Sequence, residues 1–260
     1  MINNIENRLK DFLKSYSSIV VAFSGGMDSM LLGAVINDMP ETKLLAVHIA
    51  SVFTPAAETA DAVAWAEKFN VELIILNVDI LSNSDVKKNP LNRCYYCKYN
   101  LMSQILKIAS KRGFSVVVDG TNVDDFGDFR PGLKATEELG IIHPLAEVGF
   151  SKQDIYELGE KYNLDFKFSS ACLASRIPYG TVLCSEELGK VERTEELMKS
   201  MGFKGHRVRN LGNTANIEVR SNQFDLLLTK RLELIEILQE NGFQKIYLDL
   251  QGYRTGSLNP

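Results

Sequence analysis

Blocks of apolar residues alternate with amphipathic stretches along the first two-thirds of the chain. The run Ile19-Val20-Val21-Ala22-Phe23 has the length of a buried strand and stops at a Ser-Gly-Gly turn. Further strand-length runs fall at 43–50, 71–78 and 115–119, with a short apolar piece at 141–145. Helical spacing covers 3–15, 29–38, 54–70, 93–112, 133–139 and 151–162. Pro55 suits a first turn and Gly113 a helix stop. Strands alternating with helices predict a parallel sheet covered on both faces.

The pattern changes near residue 168. A helix over 185–201 precedes two alternating runs, 206–211 and 215–220, with Gly212-Asn213 between them as a hairpin turn. One long helix over 222–239 and a strand over 245–250 complete a small α+β unit. The expected organisation is an α/β nucleotide domain over 1–167 and a smaller C-terminal α+β domain over 168–260.

Residues 24–29, Ser24-Gly25-Gly26-Met27-Asp28-Ser29, sit between the first strand and its helix. Glycines let backbone approach a ligand closely, and exposed amides at a helix start attract an anion. Ser24 and Ser29 add hydroxyls, while Asp28 suits Mg²⁺ or a backbone amide. The loop lacks the Gly-Lys-Ser/Thr of a Walker loop and is no dinucleotide fingerprint.

The 260 residues are 45 % hydrophobic and carry a net charge of −4. Residues 169–260 hold 12 basic and 11 acidic side chains, so no basic platform for nucleic acid is expected. No apolar run reaches membrane-span length, and the first residues lack a signal-peptide profile. A cytoplasmic chain is therefore expected, with its four cysteines reduced. Cys94 and Cys97 form Cys-Tyr-Tyr-Cys at a helix start, with Cys172 and Cys184 far along the chain. A zinc site, a dithiol pair, buried thiols and an iron–sulfur site all stay open on spacing alone. For Cys184 the reading is a small buried hydrophobe.

The loop resembles that of the PP-loop ATP pyrophosphatases. These have an adenine nucleotide alpha hydrolase-like fold, split ATP between its α- and β-phosphates and pass AMP to a substrate oxygen. The resemblance implies that Ser24, Gly25, Gly26, Asp28 and Ser29 bind ATP and Mg²⁺, with His48 and Gly120 lining the nucleotide pocket. Three further stretches are Gly120-Thr121-Asn122-Val123-Asp124-Asp125 with Asp128, Arg130, Pro131 and Gly132; Cys172-Leu173-Ala174-Ser175-Arg176-Ile177-Pro178-Tyr179-Gly180; and Arg207-Val208-Arg209 with Ile217-Glu218-Val219. Together these look like the LarE family, the pyridinium-3,5-biscarboxylic acid mononucleotide sulfurtransferases of nickel-pincer cofactor biosynthesis.

That resemblance implies a small pyridinium mononucleotide as substrate, adenylated on a carboxylate that then takes sulfur. Members with one cysteine give up the sulfur of the residue matching Cys172. Three-cysteine members instead are similar to thiolases holding a 4Fe–4S cluster, which implies Cys94, Cys97 and Cys172 as ligands and sulfide as a second substrate. Catalytic roles are implied for Cys172, Asp28 and Arg176, and substrate contacts for Arg176, Arg207, Arg209 and Glu218. Asp225 is a further acidic candidate for a metal, and a homo-oligomer is implied by precedent. Rival readings are the sacrificial cysteine, an ammonia-dependent amidating synthetase, and a nucleotide-sensing or metal-storage module.

Overall fold

The computed structural model describes residues 2–127, 131–165 and 171–254. Its elements run α1 (Ile2–Leu13), β1 (Ser18–Ala22), α2 (Met27–Asn37), β2 (Lys43–Ala50), α3 (Ala56–Phe69), β3 (Leu73–Asn77), α4 (Ser84–Lys87), α5 (Arg93–Arg112), β4 (Val116–Asp119), α6 (Pro131–Glu138), α7 (Pro144–Glu147) and α8 (Lys152–Lys161). After these come α9 (Ser185–Ser200), β5 (Arg207–Asn210), β6 (Thr214–Glu218), α10 (Phe224–Thr229), α11 (Arg231–Glu240) and β7 (Lys245–Leu248). Two compact units result, Met1–Ile80 with Asn92–Ser170, and Leu81–Leu91 with Ala171–Pro260. The boundary expected at 167/168 lies outside the described residues. The assignment of Leu81–Leu91 to the second unit is a feature that no local pattern announces.

In the first unit the sheet is parallel, in the order β3-β2-β1-β4. This is the α/β, adenine nucleotide alpha hydrolase-like architecture. A parallel bridge from Val118 to Ile142 extends it beside β4. Because β1 is central, its residues are buried on both faces. Ile19 and Val21 enter a core with Leu31, Val35, Trp65 and Leu158, while Val20 and Ala22 enter another with Met102, Ile105 and Ala109 of α5. Such two-sided burial explains why the strands read as continuous apolar runs rather than alternating ones.

The chain leaves β1 toward β2 on one side and returns to β4 on the other. The carboxyl ends of β1 and β4 therefore flank a topological switch point, where open α/β sheets bind ligands.

In the second unit β5 and β6 form the expected antiparallel hairpin, with Gly212 at φ +81° in the turn. β7 then adds parallel to β6. The single helix expected over 222–239 is in fact two, α10 and α11, separated at Lys230. Leu227, Leu234 and Leu238 still reach one core with Met198, Val208, Ile217 and Phe243. Lys230, at φ −95° and ψ 12°, interrupts the helical backbone while leucines on both sides share one core, and for that reason a periodicity count reads through it.

Candidate active site

Loop 24–29 is closed on itself. Ser29 Oγ donates to the Gly26 carbonyl (3.0 Å) and accepts from the Ser24 amide (3.2 Å), and the Gly26 amide donates to Ser24 Oγ (3.2 Å). Gly25 has φ +80°, and a Cβ there would lie 2.9 Å from the Glu58 carbonyl oxygen. Gly26 is different: its φ is −85°, and a Cβ would meet only Ser24 Oγ at 3.3 Å. Gly26 caps α2 without a side chain to occupy the first-turn amides, so these face the position an anion would take. Gly120, just past β4, packs against the loop so closely that a Cβ would lie 2.8 Å from the Ser29 nitrogen. Of the expected nucleotide residues, Ser24, Gly25, Gly26, Asp28, Ser29 and Gly120 are thus brought together at the switch point.

His48 stands behind the loop rather than in it. It is 1 % exposed; its Nδ1 lies 2.9 Å from the Phe23 carbonyl oxygen and its Nε2 3.0 Å from Thr59 Oγ1. Burial lowers its pKa, against the pull of the Phe23 carbonyl. The ring thereby fixes Phe23, which joins β1 to the loop.

Lys152 is a residue that sequence reasoning missed. It opens α8 after a capping box formed by Ser151 and Asp154, and its Nζ donates to both oxygens of Asp28, at 2.6 and 2.5 Å. Its backbone amide donates to Asp124 Oδ2 (2.7 Å). Asp124 and Asp125 thus serve as acceptors for backbone amides, Asp124 from Lys152 and Asp125 from Asn122; Asp128 and Arg130 lie outside the described residues. The available signal was the Ser-Lys-Gln-Asp capping box itself, which places a lysine on the first turn of a helix.

Asp119 at the end of β4 was missed as well. It is 3 % exposed, accepts from His143 Nδ1 (2.7 Å) and has Lys98 Nζ at 3.2 Å. Burial opposes its charge, but Lys98, His143 and the Thr121 amide outweigh that and hold it well below the usual carboxylate range.

In the second unit Arg176 is 1 % exposed. Its Nε and Nη2 grip Glu195 at 3.0 and 2.8 Å, and its Nη1 donates to the Ala171 and Cys172 carbonyls. Arg209 grips Glu218 in the same two-point way, at 2.9 and 2.6 Å, and both side chains are buried. Arg207 donates to the His206 carbonyl and lies 4.9 Å over the Tyr253 ring. Burial, and then the neighbouring Arg176 charge, push its pKa down. Asp225 is exposed at the start of α10.

Residues 1–128 match the PP-loop domain family. A protein of Lactiplantibacillus plantarum named pyridinium-3,5-bisthiocarboxylic acid mononucleotide synthase is 33 % identical over 95 % of this chain and 91 % of its own length. The chain belongs to the PP-loop family that includes this synthase. Uncharacterized proteins of Synechocystis sp. and Methanocaldococcus jannaschii are 33 % and 32 % identical over 99 % and 96 % of the chain. PP-loop membership makes the chain an ATP-using enzyme.

The four cysteines of this PP-loop enzyme are reduced thiols. Cys94 and Cys97 lie on the first turn of α5, three residues apart and half-buried. Cys172 is exposed before a short 3₁₀ turn, Leu173–Arg176. Cys184 is also exposed, at the start of α9, and so is not the buried hydrophobe expected. Among the described residues no three His, Cys, Asp or Glu side chains gather closely enough to hold a metal ion. Thiolates are the donors that iron–sulfur clusters take, and Cys94 and Cys97 stand about one helical turn apart. No helix of the described residues is long and apolar enough to cross a membrane.

Proposed function

We propose that this chain is an ATP-dependent sulfurtransferase that converts a carboxylate of pyridinium-3,5-biscarboxylic acid mononucleotide into a thiocarboxylate, in the cytoplasm and as a homo-oligomer. The observation that carries the reading is the loop at 24–29, closed at the β1/β4 switch point with Asp28 and Lys152 beside it. The substrate class is carried over from the synthase of L. plantarum.

ATP, with Mg²⁺, lies with its β- and γ-phosphates against the first-turn amides of α2 and the hydroxyls of Ser24 and Ser29. A substrate carboxylate oxygen attacks the α-phosphorus, the bond to the β-phosphate oxygen breaks, and pyrophosphate leaves. Lys152, held by Asp28, offsets the negative charge that builds on the leaving group, and Asp28 is the residue that would hold Mg²⁺, which would supply further charge compensation. Sulfide then attacks the acyl carbon and AMP departs with its oxygen, so no electrons change hands. Arg207 and Arg209, with Glu218 orienting Arg209, take the anionic groups of the mononucleotide. Cys94, Cys97 and Cys172 are the residues that would hold a 4Fe–4S cluster. Such a cluster would supply a place to keep sulfide near the reacting carbon.

Anaerobic protein, ATP, mononucleotide and sulfide should give AMP, pyrophosphate and a thiocarboxylate in more than one turnover, with Cys172 unchanged in mass. Lys152→Met and Asp28→Ala should each lower pyrophosphate release by about a hundredfold. Absence of any pyrophosphate from wild type would remove the adenylating reading. A single turnover with Cys172 lighter by hydrogen sulfide would replace the cluster with the sacrificial cysteine, a route that the exposure of Cys172 favours.

A further inference from the structure

We infer that Arg176 and Glu195 are positioning residues that set the orientation of the Cys172 thiol by gripping the backbone carbonyls of its loop. The inference deepens the proposed function, because it rests on Cys172 as the sulfur-handling residue.

The loop is short and its carbonyls are unusually committed. Ala171 and Cys172 both direct their oxygens at Arg176 Nη1, and Ser175 directs its own at Arg209 Nη1 (2.9 Å). Arg176 Nη1 also donates to Ser175 Oγ (3.0 Å), and the Ser175 amide closes onto the Cys172 carbonyl (2.9 Å). Leu173 and Ala174 are sunk in the interior between these contacts. With its carbonyl turned inward and its neighbours anchored, Cys172 presents its side chain outward.

A guanidinium can hold two carbonyls in register only if it cannot itself swing. Arg176 is fixed by two-point contact with Glu195, and Glu195 Oε1 in turn accepts the Val208 amide of β5 (2.9 Å). The Glu195 carbonyl lies 2.8 Å from His206 Nε2. One carboxylate therefore ties α9, β5 and the cysteine loop together. Burial opposes the charge on Glu195, and Arg176 overcomes this, keeping its pKa below the ordinary range. Lysine at 176 would keep the charge but not the fork that serves Glu195 and two carbonyls at once.

The test is hydrogen–deuterium exchange by mass spectrometry on the full chain, with activity measured alongside. Glu195→Gln keeps volume and removes the charge; Arg176→Lys keeps the charge and removes the fork. In both, amides of residues 172–177 should exchange at least about tenfold faster, while peptides from α11 and β7 keep wild-type rates. In Glu195→Gln, thiocarboxylate formation should fall further than pyrophosphate release. Unchanged exchange at 172–177 in both variants would overturn the inference. So would a rise spread evenly over the second unit, which marks a general loss of packing. A wild type that makes no thiocarboxylate would sink the functional reading, yet the exchange comparison would still decide this one.

Discussion

Gly25 and Gly26 are adjacent and chemically identical, yet the structure gives them different work. At Gly25 a left-handed φ of +80° coincides with a backbone oxygen 2.9 Å from where a Cβ would sit. Gly25→Ala should therefore destabilise the fold by about 1–3 kcal/mol, read by denaturant unfolding. At Gly26 the backbone suits any residue, and a Cβ would meet only Ser24 Oγ, at 3.3 Å. On the proposed reading Gly26→Val should fold and lose pyrophosphate release, because its side chain would stand in the space assigned to phosphate. A folded Gly26→Val protein with wild-type release would detach this loop from ATP. The motif marks the loop as functional; it does not distinguish the glycine that the fold needs from the one that the ligand needs.

At the scale of elements, α5 shows how much is local. Its span over Arg93–Arg112 and its stop at Gly113 follow from spacing and a glycine, and Gly113 has φ +72° with nothing within 4 Å of where a Cβ would sit. Gly113→Ala should cost about 1 kcal/mol by conformational strain alone, and Gly113→Asn less, checked by thermal unfolding. The α10–α11 break shows the opposite case. Helical periodicity runs through 222–239, because both helices bury leucines in one core. The backbone at Lys230 distinguishes two helices from one.

At the scale of the molecule, each unit carries a buried histidine whose pKa is lowered by burial, His48 in the first and His206 in the second. Each is neutral when folded, and each takes up a proton on unfolding once pH falls below its free value of about 6.5. The unfolded state then binds more protons, so stability should fall as pH drops from 7 through that value toward the lower folded pKa values. Unfolding midpoints measured from pH 7.5 to 5.5 should show the decline. His206→Gln should flatten the part of it that belongs to the second unit. A midpoint independent of pH over that window would contradict both lowered values.

Sequence pattern alone determined the order of strands and helices in the first unit, the hairpin of the second, and the place of the phosphate loop. These depend on periodicities and turn residues within a few positions of one another. The tertiary structure decided what lies across long separations: Lys152 on Asp28, Lys98 and His143 on Asp119, Leu81–Leu91 in the second unit, and a carboxylate for each of two buried arginines. No neighbouring residue in the sequence names the carboxylate that holds Arg176 or Arg209, and an arginine is costly to bury without one. Glu195 and Glu218 lift that cost through two-point contacts that form only once α9, β5 and β6 are packed.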